Sequence, residues 1–306
     1  MAIPVLLAAE PLGIPVLLWE GNVIPGRSVR ATARFADVVA VSFAETCAAL
    51  GRSAGSSAGS SAASSAGSSA GDLRGARRAR PCYLTGTPIR DTRQIDREAA
   101  RARFEVPPGA RLLLVFGGSQ EVRRFNAAVA EALPRLVERV YVIHVTGEPA
   151  YGAALAGRER LPAELRERYR PYPFLRDEML DALAAADLVV GRAGSSTLAE
   201  AAALGLPLVV VPYPHAAGHQ RANARALVEA GAARLVEDER FDATALLEAA
   251  ALLDDPAAHL RMSAASRALG RPAAAEVVAD LLLDLAARRP LPDPAVVERR
   301  SRGVGG

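Results

Sequence analysis

Hydrophobic residues follow two alternating patterns along this chain, and the alternation is most regular after residue 110. Short aliphatic runs read RLLLVF, YVIHV, DLVVG, LPLVVV and ARLVE. Between them lie amphipathic segments such as NAAVAEALPRLVER, EMLDALAAA, TLAEAAALG and QRANARALVEAG. Upstream, GIPVLLWE and DVVAVSF predict two more strands, with a helix over RATARFA between them. Strands that alternate with helices predict an α/β fold with a doubly wound parallel sheet and right-handed crossovers.

One segment breaks this pattern. Residues 53–71 read SAGSSAGSSAASSAGSSAG, without a charge or a large side chain. Such a segment cannot bury enough surface to offset its ordering entropy, so it predicts a flexible linker. A surface insertion within one domain explains it equally well. The basic stretch that follows, residues 74–80, is expected to be solvated.

Composition narrows the class of protein. The chain has 306 residues, half of them hydrophobic, which is enough for two domains with a sizeable core. A net charge of +3 gives no case for a nucleic-acid partner and allows only a weak preference for phosphorylated ligands. The two cysteines, Cys47 and Cys82, have no paired spacing, so we expect neither a disulfide framework nor a zinc site, as in a reducing cytosol.

Membrane and secretion signals are not expected. The apolar runs have the length of strands and are broken by Pro, Gly or charge. The first twenty residues lack a basic start and contain Glu10, which argues against a signal peptide.

In a doubly wound sheet, ligands bind beyond the carboxyl ends of the strands, so the turns there are the candidate site. The first is FGGSQ, in which Gly117 and Gly118 permit a sharp turn and Ser119 offers a hydroxyl. The helix that follows could hold a phosphate at its free N–H groups. A plain strand-to-helix turn with Ser119 as N-cap is the alternative.

The second turn, GRAGSSTLAE, runs from Gly191 to Glu200. Its small residues, Gly194 to Thr197, could present backbone amides to a diphosphate, and Glu200 could accept two hydrogen bonds from a ribose diol. Thr197 and Glu200 also have the spacing of a capping box, which would account for both residues without a ligand.

The third turn, VPYPHAAGHQRANA, brings His215, His219, Gln220 and Asn223 together just ahead of a predicted helix. Such polar side chains suit sugar hydroxyls. Arg90, in TGTPIR, could reach a phosphate or a base, although a surface arginine is the simpler reading. No metal-ligand spacing is completed and no Asp-x-Asp occurs, so we expect no metal and no cofactor.

Taken in order, these segments resemble the MurG family: GIPVLLWEGN, TGTPIR, GGSQ, PFL, GRAGSSTLAE, GLPLVVVPYPH and HQRANA. The similarity extends from about Gly13 to Leu285, apart from the Ser/Gly/Ala segment. The resemblance implies a GT-B fold of two Rossmann-like domains. It also implies transfer of N-acetylglucosamine from UDP-N-acetylglucosamine to lipid I, giving lipid II for peptidoglycan. The implied enzyme inverts the anomeric centre without a metal and works as a peripheral protein at the cytoplasmic face of the bacterial plasma membrane.

The resemblance also implies residues that bind the donor. Asn22, Arg90 and Ser119 match polar residues of the family's donor site, and the backbone of Leu175, beside Phe174, matches the group that faces uracil. Gly194 and the residues that follow it match the diphosphate loop, and Glu200 matches the ribose carboxylate. Gln220 matches the residue that recognises the sugar, with His219 beside it. The full implied set is Asn22, Arg90, Ser119, Leu175, Gly194, Ser195, Ser196, Thr197, Leu198, Ala199, Glu200, His219 and Gln220.

The chain departs from the family at its start. The glycine-rich GTGGH turn, which supplies the family's candidate general base, is absent, so we assign no catalytic residue. We divide the chain into a remnant of the acceptor domain (1–50), a linker or insertion (51–80), a UDP-sugar-binding domain (81–290) and a disordered tail (291–306). Glu121 replaces the last glycine of the GGSQG turn, beside Arg123 and Arg124.

Three functions remain open from the sequence. The chain is a lipid I glycosyltransferase, a truncated relative that binds UDP-sugar without turnover, or a GT-B glycosyltransferase with another acceptor. The GGSQ turn and the His219–Gln220 pair favour N-acetylglucosamine as the donor sugar over the third option.

Overall fold

The computed structural model describes residues 2–9, 11–52, 81–118, 122–216 and 218–303. Residues 53–80, which include the Ser/Gly/Ala segment and most of the predicted 51–80 linker or insertion, lie outside the described residues, as do Ser119 and Glu121. The described chain divides into two compact units, the first from residues 1–88 and 273–306 and the second from Ile89–Pro272.

Helices and strands are numbered in chain order. The strands are β1 (Leu17–Glu20), β2 (Val38–Val41), β3 (Cys82–Leu84), β4 (Leu112–Phe116), β5 (Tyr141–Val145), β6 (Tyr169–Tyr172), β7 (Leu188–Gly191), β8 (Leu208–Val210) and β9 (Ala233–Leu235). The helices are α1 (Ala2–Ala9), α2 (Arg27–Thr32), α3 (Ala44–Ala49), α4 (Arg97–Arg103), α5 (Arg123–Val137), α6 (Glu148–Glu159), α7 (Glu178–Ala185), α8 (Ser195–Leu204), α9 (His219–Glu229), α10 (Ala243–Ala250), α11 (Pro256–Leu269), α12 (Ala274–Ala286) and α13 (Pro294–Ser301). Short 3-10 turns occupy Ala33–Phe35, Ala163–Arg168, Asp238–Arg240 and Ala251–Asp254.

The second unit is built on a parallel six-stranded sheet in the order β6-β5-β4-β7-β8-β9. Its central strands are aliphatic and fully buried, because helices cover both faces of the sheet. The strand order reverses between β4 and β7, and such a switch point opens a crevice at the carboxyl edge. The predicted doubly wound fold is confirmed, and the turns after β4, β7 and β8 share this edge.

Local signals explain several helices that the hydrophobic pattern did not predict. Aspartates cap α4, α10, α11 and α13, each accepting a hydrogen bond from a backbone N–H in the first helical turn. In α11 and α13 a proline follows the cap at the first helical position, where its missing N–H costs nothing. Strand β6, YRPY, was also missed because it is a sheet-edge strand interrupted by Pro171.

The first unit contains a parallel three-stranded sheet in the order β1-β2-β3. Val38 and Tyr83 lie on one face of this sheet and pack against Val277, Leu281 and Val297 from α12 and α13. The hydroxyl of Tyr83 donates to the carbonyl of Pro292 at 3.0 Å. The chain therefore returns to its first unit at the carboxyl terminus.

This return differs from the predicted domain boundaries. The sequence-based division assigned residues 81–290 to one domain and 291–306 to a disordered tail, but β3 and α12 belong to the first unit. Within the described part of that tail, Pro294–Ser301 forms α13, with Val297 buried. The physical reason is that the β2–β3 face needs an apolar cover, which the two terminal helices supply.

The two cysteines form a disulfide, against the sequence-based expectation. Cys47 lies on α3 and Cys82 opens β3, and both are buried in the core beneath the three-stranded sheet. They are 35 residues apart in sequence, so no short-spacing signal could reveal them. The pairing also removes the cysteine-based argument for a reducing compartment. Among the described residues, none of the helices has the length and hydropathy needed to cross a bilayer.

Candidate functional site

The turn after β4 contains the first pair of glycines. A Cβ on Gly117 would lie 2.9 Å from the Cγ1 of Val122 and 3.3 Å from the ring of Phe125, so this position excludes a side chain. Gly118 has a φ of +71°, in the left-handed region that favours glycine. The sharp turn predicted from the sequence is present, and its tight side faces the start of α5. Ser119 lies outside the described residues.

The turn after β7 leads directly into α8. Helix α8 begins at Ser195 with Gly194 as its N-cap, and no side chain caps it. Thr197 is therefore inside the first turn, and the capping box of Thr197 and Glu200, the alternative left open by their spacing, is not formed. The N–H groups of residues 195–197 have no intrahelical acceptor by position, so this helix start can receive an anion. Leu198 and Ala199 follow in the same helix, with Leu198 buried.

Glu200 lies one turn further along α8, and its carboxylate is engaged by Arg90. The Nη2 and Nε of Arg90 lie 3.3 and 3.4 Å from Oε1 of Glu200. The Nη1 of Arg90 donates to the carbonyls of Arg176 and Asp177, each at 3.4 Å. Arg90 is thus more than a surface arginine, since it joins α8 to the turn between β6 and α7.

That β6–α7 turn also carries the predicted base-facing residues. Phe174 is exposed and Leu175 is partly buried, immediately before Arg176. Through Arg90, the backbone of this turn and the carboxylate of Glu200 are held within one hydrogen-bonded group. The structure therefore brings together Arg90, Leu175 and Glu200.

The turn after β8 ends in α9, which starts earlier than predicted, at His219. His219, Gln220 and Asn223 lie in the first turns of α9, not ahead of it. The Oε1 of Gln220 accepts from the backbone N–H of Tyr213 at 2.9 Å, which leaves its amide N–H₂ group on the other side. The ring of His215 stacks edge-on against that of Tyr213.

Buried polar side chains connect these turns to each other. Asn223 is fully buried and donates from Nδ2 to the carbonyl of Ala193, 3.5 Å away, linking α9 to the turn after β7. Arg192, also buried, pairs with Asp238. Neither contact was predicted from the sequence. An arginine directly after a buried strand does indicate that a carboxylate or carbonyl partner lies nearby.

Asn22 belongs to the first unit, in the turn after β1. Its backbone N–H and its Nδ2 both donate to Oε1 of Glu20 at 2.9 Å, and Gly26 donates to Oε2 at 2.9 Å. The hydroxyl of Thr46 donates to the carbonyl of Asn22. These bonds fix the WEGN turn. Among the described side chains there is no cluster of three or more His, Cys, Asp or Glu that could hold a metal ion.

Comparison with known proteins bears on this site. The model of the glycosyltransferase family 28 C-terminal domain matches residues 112–278. A Frankia casuarinae protein named UDP-N-acetylglucosamine--N-acetylmuramyl-(pentapeptide) pyrophosphoryl-undecaprenol N-acetylglucosamine transferase is 38% identical, over 94% of this chain and 69% of the relative. A Desulforamulus reducens protein of the same name is 35% identical, over 91% of this chain and 69% of the relative. The chain belongs to the MurG family.

A solved MurG structure agrees with this assignment. The crystal structure of Acinetobacter baumannii MurG superimposes with a TM-score of 0.65 at 28% identity, covering 92% of this chain and 70% of that one. The expected GT-B class of two Rossmann-like units is confirmed, with a first unit that corresponds to part of the MurG amino-terminal domain. Leu175, the α8 residues, His219 and Gln220 lie inside the matched family domain, whereas Asn22 and Arg90 lie outside it.

Proposed function

We propose that the second unit binds UDP-N-acetylglucosamine and that the chain acts as a MurG-type transferase, moving N-acetylglucosamine to lipid I. The single observation that carries the donor site is the combination at α8: an uncapped helix start followed, within the same helix, by a carboxylate directed at Arg90. Family membership supplies the donor and the acceptor, since its relatives are named for that transfer.

Each proposed contact follows from the chemistry of the groups. The amides of Gly194 to Thr197 receive the diphosphate, because a helix start carries partial positive charge and open N–H donors. Glu200 accepts from the ribose hydroxyls, and the backbone at Leu175 faces the base. On donor binding, the weak bonds between Arg90 and Glu200 rearrange, and Arg90 becomes available to the nucleotide.

The sugar end of the donor lies, in this proposal, at α9. Gln220 uses its oxygen on the N–H of Tyr213, so its amide N–H₂ is left to donate to the sugar. His219 lies beside Gln220 and is proposed to contact the sugar as well. For Ser119 and Asn22, a donor contact is implied by the family resemblance alone. Stabilisation of the leaving UDP by the α8 amides is the catalytic contribution that this unit makes. The proposed location is the cytoplasmic face of the bacterial plasma membrane, where a lipid-linked acceptor is presented.

Calorimetry with UDP-N-acetylglucosamine tests the donor site. Glu200→Ala is expected to weaken binding by about 1.5–3 kcal/mol, the value of hydrogen bonds to a charged group. Glu229→Ala, an exposed carboxylate at the end of α9, is the matched control and should bind like the wild type. UDP-N-acetylgalactosamine should bind more weakly than the gluco-sugar.

Folded wild-type protein that binds neither nucleotide would contradict the donor site. Transfer is then followed separately, by mixing the chain with lipid I and labelled donor and separating the lipid product. Binding without transfer would favour the alternative function, a relative that binds UDP-sugar without turnover.

A further inference from the structure

Arg192 stands between the end of β7 and the start of α8, and its side chain points into the protein. Only 5% of the residue is exposed. Its Nη1 donates to the carbonyls of Val211 and Pro212, at 3.2 and 3.4 Å, in the turn directly after β8. One guanidinium therefore joins the turn after β7 to the turn after β8.

The partner of Arg192 extends this link to a third turn. The Oδ1 of Asp238 accepts from Nη1 of Arg192 at 2.5 Å, and its Oδ2 accepts from Nε of Arg124 at 3.1 Å. Arg124 is the second residue of α5, which follows the Gly117–Gly118 turn. The guanidinium of Arg192 also lies over the ring of Phe125, 4.9 Å from its centroid, and 5.3 Å from that of Tyr213.

A buried ion pair adds little to the stability of a fold, because the desolvation of both charges offsets most of their attraction. A well-packed apolar pair would stabilise the fold at least as well. What an arginine provides is a long, charged donor group whose hydrogen bonds have fixed directions. Here Nη1 of Arg192 donates to the carbonyls of the turn after β8 and to Asp238, and Asp238 extends the link to Arg124 at the start of α5.

We propose that Arg192 is a positioning residue for the diphosphate of the nucleotide donor, holding the start of α5 and the turns after β7 and β8 in register through Asp238. The inference rests on the proposed function, because that function assigns the amides at the start of α8 to the diphosphate. Since Arg192 is buried, it acts through the turns and not by touching the ligand. Glu200 does not depend on it, because α8 is anchored further along by α11, where Ser263 donates to the carbonyl of Gly205 at 2.7 Å.

Because only the diphosphate contacts depend on Arg192, its loss should weaken the contacts to the diphosphate and leave the contacts to the nucleoside unchanged. A purely structural role would not produce this selective loss. We therefore compare the affinities for UDP and for uridine, both measured by ligand-observed NMR. In Arg192→Met, UDP affinity is expected to fall about tenfold, equal to 1.4 kcal/mol, with uridine affinity unchanged.

Arg101 provides the matched control. Its side chain is as buried as that of Arg192, and it pairs with Asp187 at the opposite, amino edge of the same sheet. Arg101→Met removes the same group and is expected to lower stability, but it should leave the ratio of UDP to uridine affinity unchanged. Arg192→Lys keeps the charge beside Asp238, but its ammonium nitrogen ends one atom short of the position of Nη1, so it should fold and still lower the ratio.

The outcomes separate the two claims. A wild-type ratio in folded Arg192→Lys and Arg192→Met, or an equal fall in Arg101→Met, overturns the positioning role while the donor site stands. If the wild type binds UDP no more tightly than uridine, the proposed diphosphate site is wrong, and the positioning role of Arg192 is wrong with it.

Discussion

The two edges of the six-stranded sheet each carry a buried Arg–Asp pair, but they use it differently. At the amino edge, Asp187 accepts from the N–H of Leu112 at 2.7 Å, from Arg97 at 2.6 Å and from Arg101 at 3.4 Å. The same two arginines donate to the carbonyls of Ala184, Ala185 and Ala186, at the end of α7. These bonds close the start of β4 and the end of α7.

At the carboxyl edge the polarity is reversed. Helices start there, so the groups left over are N–H donors and not carbonyls. The Arg192–Asp238 pair lies in the interior and links the turns after β7 and β8. The start of α8 receives no side-chain cap. This contrast explains why the amino edge contributes to stability and why the carboxyl edge is the one that we propose binds the donor. Helix carboxyl ends can be capped by the protein's own arginines, whereas open helix amino ends attract an external anion.

The largest effect is expected at the amino edge. Asp187→Ala removes the carboxylate from the buried guanidinium of Arg101 and from the N–H of Leu112, and is expected to lower the free energy of unfolding by about 3–5 kcal/mol. Urea denaturation measures this loss. Asp181→Ala, which breaks a more exposed pair with Arg103, should cost under about 1 kcal/mol. Equal losses in the two variants, or a weaker UDP affinity in folded Asp187→Ala, would erase the distinction between the edges.

A second test concerns the middle of the sheet, on β5. Burial lowers the pKa of His144 to about 3, from an ordinary value of 6.5. Its Nδ1 lies 2.8 Å from the hydroxyl of Tyr169, whose pKa burial raises, and its Nε2 has no hydrogen-bond partner in the described structure. The histidine is therefore held neutral in the folded state.

This neutral state makes stability depend on pH. Below pH 6.5 the unfolded chain binds a proton on His144 that the folded chain does not, so the folded state loses stability as the pH falls towards 3. Between pH 7 and 5 the free energy of unfolding is expected to fall by about 2 kcal/mol. His144→Asn should abolish that slope in urea titrations, and an unchanged slope would show that another group is responsible.

The smallest expected effect concerns Gln220, at the carboxyl edge of the sheet, and the affinity for the donor sugar. Gln220→Glu keeps the oxygen that accepts from Tyr213 but removes the donating N–H₂ group. We expect affinity for UDP-N-acetylglucosamine to fall about tenfold, the value of roughly one hydrogen bond, with affinity for UDP unchanged. Calorimetry with both ligands measures this. An equal loss for both would move Gln220 from the sugar to the nucleotide.

Much of the second unit could be predicted because its signals are local. Aliphatic runs at strand length predicted β4, β5, β7, β8 and β9. Glycines predicted the turns after β4 and β7, and proline predicted the turn after β8. The order of these motifs along the chain identified the family. The sequence could not choose between alternatives where a position serves distant partners, as at Thr197 and Glu200, whose spacing also fits a capping box. Arg90, 110 residues away in sequence, takes the carboxylate instead.

The sequence by itself therefore determined the aliphatic strands and the turns that follow them, since periodicity and turn chemistry act over a few neighbouring residues. The order of the motifs along the chain added the set of candidate donor residues. Only the tertiary structure decided the Cys47–Cys82 disulfide, the return of α12 and α13 to the first unit and the Arg192–Asp238 link. Each of these joins residues at least 35 positions apart. Contacts at that separation are set by how the layers pack, because packing brings together side chains whose pairing leaves no pattern along the chain.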